Sequence, residues 1–374
     1  MEQDEILAHL IALPSIVGTG NAAIVDWIVT YARACGAEVT VAMGPEGDRA
    51  NLLITVGPRF VPGLVLSGHM DVVPANEPDW LSDPFTMRAE HGRLYGRGTS
   101  DMKGFLACAL AALPELAKRP LTRPVHLAFS YDEEAGCRGV PHLLALLPDL
   151  CALPQACIVG EPSGLRAIRA HKGKAAAHLE VRGRAGHSSR PDQGLNAVHA
   201  MASVLSTAVD AARGLTDGPF ESAFEPPYSS LQVGMIHGGQ AINIIPDHCS
   251  ADIEARAISG QSPVVLLDPI RQVLADLDAQ GFETSWTVTS QYPALSLAED
   301  APLAAMMAEI TGQAPLAAVS YGTEAGLYQA AGIPAIICGP GDIARAHRAN
   351  EYIERDELSA CRRMIDILGQ RMCA

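Results

Sequence analysis

The chain is short of basic residues: 27 lysines and arginines stand against 42 aspartates and glutamates, for a net charge of −15. A surface of that sign repels phosphate backbones, which argues against a nucleic-acid partner. No run approaches the ~20 apolar residues that a membrane-spanning helix needs. The opening residues, MEQDEILAHL, lack both the basic and the apolar stretch of a secretory signal. The nine cysteines are odd in number, form no Cys-x-x-Cys pair and lie mostly in apolar runs such as FLACALAAL. That usage speaks against structural zinc on sulfur and for reduced, buried thiols in the cytoplasm. Also missing are a Gly-x-Ser-x-Gly elbow and a P-loop, and Gly96-Arg97-Gly98 lacks the third glycine of a dinucleotide site.

What is present is ordinary globular composition, 48% hydrophobic and 18% charged over 374 residues. That length exceeds the ~100–200 residues of a usual domain, so two domains are expected. Residues 21–35 carry apolar positions at helical spacing, and β-rich runs follow at 37–41, 51–56 and 63–67. A helix is predicted to open at Asp101, and strands at 125–130 and 156–160 flank a helix near 139–147. From residue 174 the order becomes strand, helix, strand, strand, helix, strand, the ferredoxin-like β-α-β-β-α-β arrangement. After Pro293 the α/β rhythm returns with a helix at 300–311, a strand at 315–319, a helix at 324–331, a strand at 334–338 and a terminal helix from about 356. The expected fold is therefore α/β, with a discontinuous domain of residues 1–173 and 291–374 interrupted by an inserted domain, 174–290.

Within this frame, isolated His, Asp and Glu residues end successive apolar segments. They are His69 and Asp71 in LSGHMDVVP, Asp101 in GRGTSDMKG, Glu133 and Glu134 in FSYDEEAG, and Glu161 in IVGEPS. From His69 to Asp101, to Glu134 and to Glu161 the steps are 32, 33 and 27 residues. A βα repeat takes about 30, and loops at the carboxyl ends of parallel strands converge on one crevice. His347, after the last strand, is placed to reach the same crevice. A lone polar residue at a strand end is more often a cap, but this set, each member flanked by Gly, Pro or Ser, forms a mixed N/O donor group suited to Zn²⁺, Co²⁺ or Mn²⁺. Its carboxylates outnumber the needs of one zinc, so a paired site is expected. Of the adjacent Glu133 and Glu134, one can bind metal while the other holds water as a base; the alternative is an exposed acidic turn with Asp132.

HMD, GRGTSDMKG, DEE, GEPS and the late AHRANEY resemble the motifs of the M20 family of metal-dependent amidohydrolases and exopeptidases, over essentially the whole chain. The resemblance implies a zinc-exopeptidase-like three-layer α/β catalytic domain carrying a ferredoxin-like lid that forms a homodimer. It implies two divalent ions, Zn²⁺ foremost: His69, Asp101 and Glu161 around one, Asp101, Glu134 and His347 around the other. Glu133 would then be the general base, Asp71 the carboxylate that fixes the His69 tautomer, and His187 in GRAGHSSRPD the donor to the oxyanion, supplied by the partner subunit.

Within the family, RAHKGK, GHSS, IHGGQAINIIPD and SYGTEAG look most like the acetylornithine deacetylases, which implies removal of the acetyl group from N2-acetyl-L-ornithine in arginine biosynthesis. Glu324 would hold the substrate's ammonium, with Asn243 and Arg256 on its α-carboxylate. RAISG and SYG depart from that pattern, which leaves the acyl group and side chain open. Desuccinylase, aminoacylase and dipeptidase activities are the enzymatic alternatives, and a metal-binding assembly protein without turnover is the alternative of another class.

Overall fold

The computed structural model describes residues 1–373. The chain divides into two compact units. The first contains residues 1–170, 295–318 and the chain from 323 onward; the second contains 171–294 and 319–322.

The first unit is built on a six-stranded sheet. Its order is Glu38–Met43, Ala50–Val56, Val125–Ser130, Leu64–His69, Ala156–Pro162, Ala335–Gly339. The last four run parallel, and the first two are joined antiparallel at one edge. The central strands are buried at every position, which is why they read as continuous apolar runs rather than alternating ones. Helix Gly104–Lys118 is apolar all round, and eleven of its fifteen residues are buried, so it lies in the core rather than on the surface. It packs against Gln3–Ile11 and Arg355–Arg371 as well as the sheet. Its Phe105 ring lies on the backbone of the Ala156–Pro162 strand, where a Cβ at Gly160 would stand 2.1 Å from it.

The second unit has the strand–helix–strand–strand–helix–strand order: Gly173–Arg182, Ala197–Gly214, Ser230–Gly238, His248–Ala257, Asp268–Ala279, Glu283–Tyr292. Its strands form one antiparallel sheet in which Gly173–Arg182 lies between His248–Ala257 and Glu283–Tyr292, with Ser230–Gly238 at the edge. Burial alternates along Gly173–Arg182, so one face meets the helices through Leu179, Val181, Met201, Val204 and Ile270.

Several local expectations change. No strand forms over 315–319; Leu316 and Val319 make only isolated bridges, and Pro315 removes a donor from any continuous ladder. Asp101 does not open a helix: it sits at φ −125°, ψ 96° in an irregular turn, Thr99–Lys103, and the helix begins at Gly104. The N-terminal helix Gln3–Ile11 adds an element beyond those expected; it carries a capping box of Glu2 and Glu5 and buries Ile6, Leu7, Leu10 and Ile11. All nine cysteines are free. Among the described residues, no helix is long and apolar enough to cross a membrane.

One core histidine makes the first unit acid-sensitive. His126 is fully buried with Nδ1 2.9 Å from the Thr55 hydroxyl, and burial, assisted by Arg59, pushes its pKa down to about 4. Above about pH 6.5 the ring is neutral in both folded and unfolded chains. Between there and pH 4 only the unfolded chain takes the proton, so stability falls by up to about 3 kcal/mol and then levels off. Urea unfolding of the wild type and His126→Gln at pH 7, 5.5 and 4 checks this: the variant should lose less stability over that range, and equal losses would assign the acid sensitivity elsewhere.

Candidate metal centre

The four parallel strands deliver their carboxyl ends to one edge of the sheet. His69 is the last residue of Leu64–His69, and Glu161 stands next to the end of Ala156–Pro162. Glu133 and Glu134 follow Val125–Ser130 by a short turn, and His347 lies in the loop after Ala335–Gly339. Asp101 arrives from the Thr99–Lys103 turn.

These residues meet. His69 Nε2 is 3.0 Å from Asp101 Oδ1 and 3.8 Å from Glu161 Oε1. His347 Nε2 is 3.4 Å from Asp101 Oδ2 and 2.9 Å from Glu134 Oε1. Asp101 therefore presents one oxygen to each histidine. His69, Asp101 and Glu134 bring ligand atoms within 4.8 Å of one another, and so do His69, Glu133 and Glu161.

The Glu133–Glu134 turn is no exposed acidic loop. Asp132 is buried, accepts from Gly18 N at 2.8 Å and pairs with Arg49. Asp71 departs from expectation in a specific way. The atom nearest His69 Nδ1 is the Asp71 main-chain oxygen, at 2.9 Å, whereas its carboxylate oxygen is 3.6 Å away. The carboxylate instead accepts from Glu133 N and Glu134 N, both at 3.1 Å, and so holds the turn that carries both glutamates. A proton on Nδ1 shared with that carbonyl leaves Nε2 as the metal-facing nitrogen.

The electrostatics are those of a cluster awaiting positive charge. Burial raises the Glu161 carboxyl well above the usual range, reinforced by Asp101 and Glu133. Glu133 is likewise raised by burial, eased by His69 but reinforced by Glu134, Glu324 and Asp71. Hydrogen bonds to Asp101 and Glu134 raise His347 to about 10. A donor set of two imidazoles and several carboxylates without thiolate fits a divalent cation of the zinc group, and a cation there would relieve the carboxylate repulsion and displace the histidine protons.

The remaining predicted residues fall as follows. Glu324 is 1% exposed and accepts from the Ser67 hydroxyl at 3.2 Å; Ser67 also bonds Tyr328 at 3.0 Å. Burial pushes the Glu324 carboxyl up to about 7 against the lowering effect of Ser130, His69 and Ser67. It stands at the N-cap of helix Ala325–Ala330, but its side chain makes no capping bond; the Thr323 hydroxyl accepts from Ala325 N at 3.0 Å. In the second unit His187 and Asn243 are neighbours: His187 pairs with Ile244, and Ser188 N donates to Asn243 O. Ser189 N donates to His187 Nδ1 at 3.2 Å, so the neutral ring carries its proton on Nε2. Arg256 is already engaged, by Glu254 at 2.7 and 3.3 Å and by Tyr292 at 3.2 Å. Ser67, Tyr328, Cys137, Arg97 and Glu351, none of them among the expected site residues, are also buried around this centre.

The model of peptidase family M20/M25/M40 matches residues 65–370. The chain is 32% identical over 378 residues to an acetylornithine deacetylase of Photorhabdus laumondii, covering 99% of this chain and 97% of that one. An acetylornithine deacetylase of Proteus mirabilis is also 32% identical, over 381 residues, with 99% and 96% covered. Among solved structures, an M20 family metallo-carboxypeptidase from Sulfolobus solfataricus shares the fold at TM-score 0.79 and 19% identity, over 100% of both chains. Matches and donor set together define a metal-dependent amide hydrolase. The chain belongs to peptidase family M20/M25/M40.

Proposed function

We propose that this hydrolase removes the acetyl group from N2-acetyl-L-ornithine, giving L-ornithine and acetate. The observation that carries the reading is the convergence of His69, Asp101, Glu134, Glu161 and His347 beside a spare carboxylate, Glu133, in a chain 32% identical to enzymes named for that reaction.

In this reading His69, Asp101 and Glu161 hold one ion and Asp101, Glu134 and His347 the other, Zn²⁺ first, with Co²⁺ or Mn²⁺ as alternatives. Bound there, the ions supply Lewis acidity toward the amide oxygen and toward water. Glu133 takes the proton of the attacking water and passes it to the leaving amine. Asp71 keeps Glu133 and Glu134 on their separate tasks through the two backbone bonds described above. His187, its Nε2–H directed by Ser189, donates to the oxyanion. Glu324 attracts the δ-ammonium through the field of a carboxylate buried in low dielectric. Asn243 and Arg256 are assigned to the α-carboxylate, which at Arg256 must exchange with Glu254. The protein works in the cytoplasm as a homodimer formed through the second unit, a reading supported by its edge strand, where Met235 and Ile236 are 56% and 47% exposed, and by the fully exposed Ile242 nearby.

Steady-state kinetics on N2-acetyl-ornithine, other N-acetyl amino acids, N-succinyl-diaminopimelate and dipeptides test the substrate. The acetyl-ornithine kcat/KM should be highest. A best substrate that is succinylated or a dipeptide would sink the assignment, and bound metal without any hydrolysis would favour a non-catalytic role.

A further inference from the structure

Asp101 and His347 are 246 positions apart, yet must face the same ion under the reading above. Neither sits on a regular element: Asp101 lies in the Thr99–Lys103 turn, and His347 stands at φ 58°, in the left-handed region. Something must hold these two segments in register, and one side chain bonds to both.

Glu351 is four residues beyond His347 and 1% exposed. One carboxylate oxygen accepts from Ser100 N at 2.9 Å and from Asp101 N at 3.1 Å. The other accepts from Gly98 N at 3.1 Å and from Arg97 Nη1 at 2.9 Å. Its own main-chain oxygen accepts from Gly96 N at 3.0 Å. A single carboxylate thus closes the concave backbone of the turn, the kind of nest that selects an anion. Arg97, also 1% exposed, completes the fastening. The same Nη1 reaches Arg348 O at 3.3 Å, next to His347, while Nη2 bonds Pro74 O at 3.2 Å and Glu77 at 2.6 Å. Trp80 lies against the guanidinium, 5.4 Å from its ring centre.

We propose that Glu351 is a positioning residue for the metal centre, clamping the turn that carries Asp101 to the loop that carries His347. It touches neither substrate nor ion. A buried charge with four donors is more than packing requires, because an apolar side chain could fill the space but would orphan three backbone N–H groups of the turn. Those N–H groups set the direction of the Asp101 backbone, and through it which way its two oxygens point.

The inference rests on the reading of Asp101 and His347 as ligands, so the test separates the two. Co²⁺ binding to the full-length protein is titrated by equilibrium dialysis and by the visible absorption of the bound ion, for wild type, His347→Ala, Glu351→Gln and Glu351→Asp. Glutamine turns one acceptor into a donor that faces backbone N–H groups. Aspartate keeps the charge and is too short to serve both pairs, so it also covers the case in which the glutamine variant does not fold. Each Glu351 variant should bind one of two ions about 10–100-fold more weakly, with an altered spectrum for that ion. Excess Co²⁺ should restore kcat with KM unchanged, which a loss of folded protein would not do. Wild-type affinity and spectrum in a folded Glu351 variant, alongside loss of an ion in His347→Ala, would overturn this proposal alone. Unchanged binding in His347→Ala would overturn the ligand reading and the proposal with it.

Discussion

Glu133→Ala is expected to lower kcat by about 10²–10⁴-fold, the usual contribution of a positioned general base, while the bound metal stays at the wild-type level. The sharpness of this prediction comes from the neighbouring residue. Glu133 and Glu134 leave the same turn, and their backbone N–H groups bond to the two oxygens of Asp71 at the same distance, 3.1 Å. Their side chains then part: Glu134 Oε1 goes to His347, while Glu133 Oε1 accepts from the Cys137 thiol at 3.3 Å and has no histidine within salt-bridge reach. Burial raises the Glu133 carboxyl well above the usual range, the direction a proton carrier needs near neutral pH. Yet Glu133 also lies within ligand distance of His69 and Glu161, so geometry permits the opposite assignment. Measuring metal content beside kcat decides it. Glu133→Ala that sheds an ion, with Glu134→Ala that keeps both, would reverse the roles.

The parts of this centre that were legible in the sequence are those in which a single residue type follows a buried strand. His69 and Glu161 stand at the ends of buried, mainly apolar strands, so period and position were enough to mark them. Apart from the AHRANEY resemblance, His347 was visible only as a histidine beyond the last strand, because nothing in a local window records that its loop returns to the same edge. Asp71 shows a different limit: the residue was marked, but the exchange of tasks between its main-chain oxygen and its carboxylate is a matter of backbone direction that composition does not carry. Glu324, expected to hold the substrate's ammonium, lies buried against Ser67. Its helix is only six residues long, too short for a periodic pattern to reveal an inward face. Glu351 lies inside the AHRANEY motif but carried no role there, since a carboxylate whose partners are backbone N–H groups some 250 positions away leaves no pairing to read. The strand expected at 315–319 failed for the converse reason, an apolar run without a continuous partner edge.

Asp101→Ala should remove both ions and with them essentially all turnover, the largest loss expected from any single substitution in the chain. Each of the other proposed ligands serves one ion. Asp101 alone offers an oxygen to each histidine, 3.0 Å to His69 and 3.4 Å to His347. It is also the one carboxyl of the centre held below the usual range, because hydrogen bonds from both imidazoles outweigh its burial, so it stays charged where its neighbours resist ionising. Two consequences follow from its acting as a unit with the rest. The Asp101→Ala, Glu133→Ala double variant should be no less active than Asp101→Ala, since a base without the ions has nothing left to assist. Ligand-linked stability should vanish as well. At a thousandfold excess over Kd, one site binding only the folded chain contributes about 4 kcal/mol, so the wild type should melt several degrees higher with Zn²⁺ than with a chelator. Asp101→Ala should melt at the same temperature in both. Elemental analysis and paired melting curves provide the check, and a variant that retained two ions, or gained the metal-dependent rise in Tm, would remove Asp101 from the bridging position.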